Sequence, residues 1–323
     1  MSSWRAWHVF IADRANTDRF LLEVVAPEIA RLATVQHLDR WFFIRYWENG
    51  PHIRLRVDGA DDQTFLALGN HLRQHAPEYA ASDVSADTRF DPAAKFDGWH
   101  ADPSAVPWFG QGEVHEIAYE PELRRYGGPN GLQVAEALFG LSSETAIRVV
   151  GATAGDFART ETIALHLTVA TLMAVTPDYA ARIDFLDRMA ASWRGFAPDA
   201  MVAEQSAREQ FLATRGAMQS FASRLTAPAL SNEHWSPFVL AYAAAVRAGL
   251  AELRKLASAG QLISPVMGIP TRNDGETEAA IKSIALSLIH MMNNRLGMTP
   301  LHEYRFAQML VWASENAALE PVA

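Results

Sequence analysis

The sequence has no cysteine. That excludes disulfides, thiolate metal sites, a cysteine nucleophile and covalent capture of a substrate through sulfur. No apolar run approaches the roughly 18 residues that span a bilayer, so no membrane partner is expected. The opening stretch, MSSWRAWHVFIADR, lacks the basic-then-apolar layout of a signal peptide, and the expected location is the cytoplasm. Positive charge is scarce: 28 Lys and Arg against 37 Asp and Glu give a net charge of −9. A phosphate-backbone binder needs a basic surface, so no direct nucleic-acid partner is expected. HExxH, GxSxG, P-loop and dinucleotide fingerprints are all missing. No metal and no cofactor is expected.

What is present is an ordinary globular balance, 49% hydrophobic and 20% charged, over 323 residues. Residues 4–12 mix aromatic and aliphatic types and read as a strand. Thr17 suits a helix cap, with Phe20, Leu21, Val24 and Val25 on one face, and Pro27 is expected to bend that helix. WFFIRYW (41–47) and HIRLRV (52–57) flank the turn residues Glu48-Asn49-Gly50-Pro51 and read as a β-hairpin. Helical character near 62–75 gives way to loop character over 91–110, and EVHEIAYEPE (113–122) reads as a further strand. GGPNG (127–131) is a breaker. Helices are expected at 131–139, 143–151, 157–175, 178–193, 200–224, 235–257, 275–296 and 300–316, with Asp178 and Thr299 as caps and Pro300 in a first turn. Strands first and helices later predict an α+β fold, an N-terminal mixed or antiparallel sheet packed with a predominantly helical part. One unit over 1–323 is expected, sheet-rich to residue 130 and helix-rich from 131.

Three places carry chemistry-bearing side chains. In HIRLRV, alternation turns Ile53, Leu55 and Val57 one way and His52, Arg54 and Arg56 the other. Such a face suits a carboxylate, through paired hydrogen bonds from guanidinium groups, or a solvated sheet surface with salt bridges. Arg124, Arg125 and Tyr126 stand just before Gly127-Gly128, where the backbone can turn sharply. His290 lies in the apolar run LSLIHMMNNRL (286–296), sharing a face with Leu286, Ile289 and Asn293. It reads either as a buried histidine bonded to Ser287 or Asn294 or as a general acid or base. His115 and Glu113 share one strand face and Glu116 takes the other.

Taken together and in order, WFFIRYWENGPHIRLRV (41–57), YEPELRRYGGPNGLQVAEALF (119–139) and SLIHMMNNRLGMTPLHE (287–303) resemble the C-terminal, elimination domain of lantibiotic dehydratases, including the stand-alone versions of thiopeptide gene clusters. The resemblance implies a lyase of ribosomal peptide (bacteriocin) antibiotic biosynthesis that acts on a precursor peptide of leader plus core. A partner enzyme, using glutamyl-tRNA, glutamylates Ser or Thr hydroxyls, and the elimination domain removes glutamate to leave dehydroalanine or dehydrobutyrine. By motif position the implied catalytic residues are Arg54, Arg56, Arg125 and His290. The substrate-binding candidates are His52, Tyr126, Ser287 and Asn294. The same family includes pyridine synthases, which join two dehydroalanines in an aza-[4+2] cycloaddition with leader release. A non-catalytic subunit that presents the precursor is a third reading. A peptide groove rimmed by Trp4, Trp7, Trp41 and Trp47 would serve all three, and a homodimer is compatible with each.

Overall fold

The computed structural model describes residues 4–35, 38–47, 50–80, 109–197, 199–231 and 233–317. The expected loop at 91–110 lies outside these up to residue 108, as do turn residues 48 and 49. The fold is α+β, with a small antiparallel sheet and a majority of helix. Two compact units make up the chain: residues up to 121 with 139–160 and 294–297, and residues 122–138 and 161–293 with 298 onward. No helix among the described residues is long and apolar enough to cross a membrane.

The first unit is built on strands β1 (Arg5–Val9), β2 (Arg40–Tyr46), β3 (His52–Asp58) and β4 (Val114–Glu116), in the order β2-β3-β1-β4. Every pair is antiparallel. The expected hairpin is β2 with β3. The expected strand over 113–122 shrinks to β4, because its partner β1 is short and pairs only from Trp7 to Val9. Alternation sends Trp7, Val9, Phe43, Ile53, Leu55 and Val57 to one face, where all are buried. Helix α3 (Asp62–His75) covers that face. The Trp7 ring stacks on Phe65 with centroids 4.7 Å apart and its indole N–H donates to the Phe65 carbonyl at 3.2 Å. Gly69 allows this approach, since a Cβ there would lie 2.2 Å from the Trp7 ring. Trp7 is thus core, not groove rim.

Helix α1 (Arg14–Phe20) starts earlier than expected. Asp13 is its cap, its side chain accepting from the Asn16 N–H, while the Thr17 hydroxyl donates back to the Asp13 carbonyl inside the helix. A π-helical turn, Leu21–Val25, links it to α2 (Ala26–Thr34), and the Ala26 N–H reaches five residues back to Leu21. Pro27 cannot donate to the carbonyl four residues before it, which explains why the irregular turn stands just upstream.

Residues 131–139 and 143–151, expected as two helices, belong to one, α4 (Gly128–Thr153). Gly140 and Ser143, at the expected gap and its far end, each have a packing use. Gly140 passes close to the Trp41 carbonyl, 3.2 Å from where a Cβ would sit. The Ser143 hydroxyl, fully buried, donates to the Phe139 carbonyl at 2.8 Å, accepts from the Phe43 N–H at 3.1 Å and accepts from Arg295 Nε at 3.0 Å. One donor and two acceptors exhaust what a hydroxyl offers. Ser143→Ala is expected to cost about 2–4 kcal/mol in unfolding free energy by urea titration, because a strand amide and a buried guanidinium each lose an acceptor. Two residues further along β2, the Asn294 amide accepts from the Arg45 N–H and donates to the Arg45 carbonyl, both at 2.9 Å. Side chains thereby cap the outer edge of β2.

The second unit contains α6 (Tyr179–Arg194), α7 (Ala200–Arg224), α8 (Pro237–Ser258) and α10 (Pro300–Ala317), with α10 packed on α6 and α7, and most of α5 (Phe157–Val175) and α9 (Asp274–Arg295). Asp178 caps α6 as expected, accepting from the Ala181 N–H. At Thr299 the hydroxyl pairs with His302 Nδ1, and its carbonyl accepts from His302 and Glu303. GGPNG turns the chain only at Gly127 and Gly128, both at positive φ (+91° and +81°), and α4 begins at Gly128 itself. Gly131 has no room for a Cβ, which would meet the Tyr126 carbonyl at 2.2 Å.

Candidate functional site

In the first unit the structure brings His52, Arg54 and Arg56 together on the second sheet face and adds His8, which lies opposite Arg54 in register. The Arg54 guanidinium lies 3.5 Å above the Tyr46 ring centroid, and its Nε donates to His52 Nε2 at 3.1 Å. His52 Nδ1 is 2.7 Å from the Gly50 carbonyl, which can only accept. The ring is therefore the Nδ1–H tautomer, with Nε2 accepting from arginine. His8 stacks on His52 with centroids 4.8 Å apart and an interplanar angle of 21°. Arg56 lies over Tyr119 at 4.5 Å and Phe42 at 5.2 Å. His115 follows His8 across β4 and pairs with Glu113 at 2.7 Å, on the face that alternation assigned to both.

Burial beside two guanidinium groups keeps the His8 and His52 imidazoles neutral. His8 is lowered to about 2, by burial first and then by His52, Arg54, Arg56 and His115. His52 is lowered to about 3 by burial, which outweighs the upward pull of its bond to Gly50, with Arg54 and Arg56 lowering it further. Positive charge on this face thus resides on the arginines, an arrangement suited to an anion.

In the second unit Arg125, Ser287 and His290 are brought together. Arg125 Nε donates to Ser287 Oγ at 3.1 Å, and Arg125 Nη1 pairs with Glu122 at 3.0 Å. Ser287 and His290 stand one turn apart on α9, on neighbouring positions of the helix surface. Neither Ser287 nor Asn294 holds His290. Its Nδ1 instead pairs at 2.7 Å with Oε1 of Glu303, a fully buried carboxylate on α10. Nδ1 donates, which leaves Nε2 as the atom able to take or give a proton. The Trp193 ring packs against the imidazole, centroids 4.6 Å apart. Tyr126 is buried, 1% exposed. The Asn294 amide is committed to the backbone of Arg45 and does not join this group.

Sequence reading missed His8, Glu303 and Trp193. Glu303 ends the segment SLIHMMNNRLGMTPLHE, with no local signal to link it to His290. His8 was visible only as one residue of an apolar strand.

This combination of an arginine-lined sheet face and a carboxylate-bound histidine sits on a known fold. The chain superposes on the pyridine synthase TbtD from thiomuracin biosynthesis with a TM-score of 0.75 at 18% identity, over 98% of each chain. TsrL matches with a TM-score of 0.71 at 17% identity, over the whole of both chains. The tRNA-dependent lantibiotic dehydratase MibB from Microbispora sp. 107891 matches with a TM-score of 0.57 at 17% identity, over 98% of this chain and 28% of that one. No curated protein sequence matches. The lantibiotic biosynthesis dehydratase C-terminal family matches residues 4–314, and the chain belongs to that family. Its field is the biosynthesis of ribosomally made peptide antibiotics.

Proposed function

We propose that the protein is a lyase that removes glutamate from glutamylated Ser and Thr residues of a precursor peptide, leaving dehydroalanine and dehydrobutyrine. The observation that carries this reading is the His290–Glu303 pair with Arg125 bonded to Ser287 one helical turn away. A poised base next to a fixed cation is what β-elimination asks for. The base takes the α-proton, the Cα–Cβ double bond forms, the Cβ–O bond breaks, and glutamate leaves as a carboxylate. In this reading His290 Nε2 takes the proton and Glu303 steadies the imidazolium. Arg125, bonded beside His290, meets the charge growing on the ester oxygens, and by motif position Arg54 and Arg56 are the groups that bind the glutamyl carboxylate. Substrate arrives from a separate glutamylating enzyme, and no cofactor enters the chemistry.

The full-length match to the pyridine synthase favours a second reading, cycloaddition of two dehydroalanines with leader release. Mass spectrometry separates the two. Incubation with a glutamylated precursor is expected to show loss of glutamate alone. Loss of water with leader release from a precursor already carrying dehydroalanines would replace elimination by cycloaddition. Binding without any mass change would mark a presenting subunit.

Glu303→Gln is expected to lower kcat for glutamate loss by about 10²-fold. An unchanged kcat in that variant would detach Glu303 from the proton transfer.

A further inference from the structure

Resting on the elimination reading, we infer that His52 is a positioning residue: together with the stacked ring of His8 it sets the direction of the Arg54 guanidinium toward the carboxylate of the glutamylated precursor. An arginine on a strand face has a long, flexible stem, and a carboxylate clamp works only if the planar fork is held in place. Two contacts hold this one. Nε–H is engaged by His52 Nε2 at 3.1 Å, and the plane rests on Tyr46 at 3.5 Å. His52 itself is fixed, Nδ1 bonded to the Gly50 carbonyl at 2.7 Å and one ring face covered by His8 at 4.8 Å. Phe10 adds a further ring, 4.7 Å from His52 by centroids.

With Nε bound to His52, Arg54 must meet a carboxylate through its two terminal nitrogens, the end-on bidentate mode. The role of His52 is therefore exerted through Arg54 and not by touching substrate, which replaces the substrate-binding role expected from the motif. His8 is part of the same device, since a stacked neighbour resists rotation of the His52 ring. His115 and Arg56 are further polar groups on this face.

The test is a double-mutant cycle on the full chain, with His52→Leu and His52→Gln made in both the wild-type and Arg54→Ala backgrounds. Glutamine can offer a carbonyl to Arg54 and an N–H to Gly50. His52→Leu is expected to raise KM for the glutamylated precursor about tenfold with a smaller effect on kcat. His52→Gln should recover most of that loss, and His52→Leu should add nothing once Arg54 is alanine. Equal losses in both backgrounds, or a glutamine variant as impaired as leucine, would overturn the inference. Nitrogen-15 NMR of the wild-type protein gives an arm independent of turnover. It should show His52 protonated at Nδ1 only and an Arg54 Nε–H protected from solvent exchange, and protonation at Nε2 would also overturn it. If the wild-type protein releases no glutamate while the NMR pattern holds, the substrate reading fails and the positioning of Arg54 stands.

Discussion

Arg54→Ala is expected to suppress glutamate loss by about 10²–10⁴-fold while the affinity for unglutamylated precursor, read by fluorescence anisotropy, stays within about threefold. The separation follows from where the residue acts. Arg54 belongs to a sheet face whose positive charge is carried by arginines, its neighbours His8 and His52 being neutral. In the proposed elimination its contribution is to negative charge on the glutamyl group and the departing oxygen, which an unmodified peptide lacks. Arg54→Lys should behave nearly as alanine does, since an ammonium keeps the charge but cannot bond His52 through Nε and a carboxylate through a fork at once. Turnover near the wild-type rate in Arg54→Ala would remove the clamp from the mechanism.

The second large effect is on acid stability. His8 and His52 have folded-state values of about 2 and about 3 against an ordinary value of 6.5. A histidine with a depressed value binds its proton more readily when the chain is unfolded. Stability is then fully present above pH 6.5 and falls as pH drops from 6.5 toward the folded-state values. At pH 4.5 each ring is expected to have cost about 3 kcal/mol, or about 5–6 kcal/mol together. Urea unfolding at pH 7.5 and pH 4.5 measures this directly. His8→Gln and His52→Gln, whatever each costs at pH 7.5, should each shrink the difference between the two pH values by about half. A stability that stays level from pH 6.5 to 4.5 would mean that the two imidazoles are not buried and neutral as described.

Much of this architecture could be read from local pattern, and the exceptions have physical causes. The β2–β3 hairpin and the two-faced character of HIRLRV follow from period-two alternation, a property of the strand itself. The ends of α3, α5 and α6 follow from caps and periodicity. The gap expected within α4 opens at Gly140 and closes at Ser143, both poor helix formers in isolation. Their reasons for being there are the Trp41 carbonyl and the amide of Phe43, about a hundred positions away. The site divides in the same manner. Arg54, Arg56, Arg125 and His290 were placed by resemblance to a family, not by spacing. Their partners depend on pairings between distant segments: His8 meets Arg54 through the β1–β3 register, and Glu303 reaches His290 only because the chain turns at Gly297 and returns as α10. A side chain whose role is set by such a partner has no signature of its own in sequence.

The sealed outer edge of β2 limits how a peptide substrate can be received. Many peptide-binding proteins let an extended ligand join a sheet as an extra strand, borrowing the free main-chain amides of the last one. Here the outward N–H of Phe43 is taken by Ser143 and both polar groups of Arg45 by Asn294. A precursor lying along β2 would have to compete with those bonds, so recognition there must come from its side chains or from another surface altogether. Leader sequences selected for β-strand propensity alone should consequently gain no affinity at this edge.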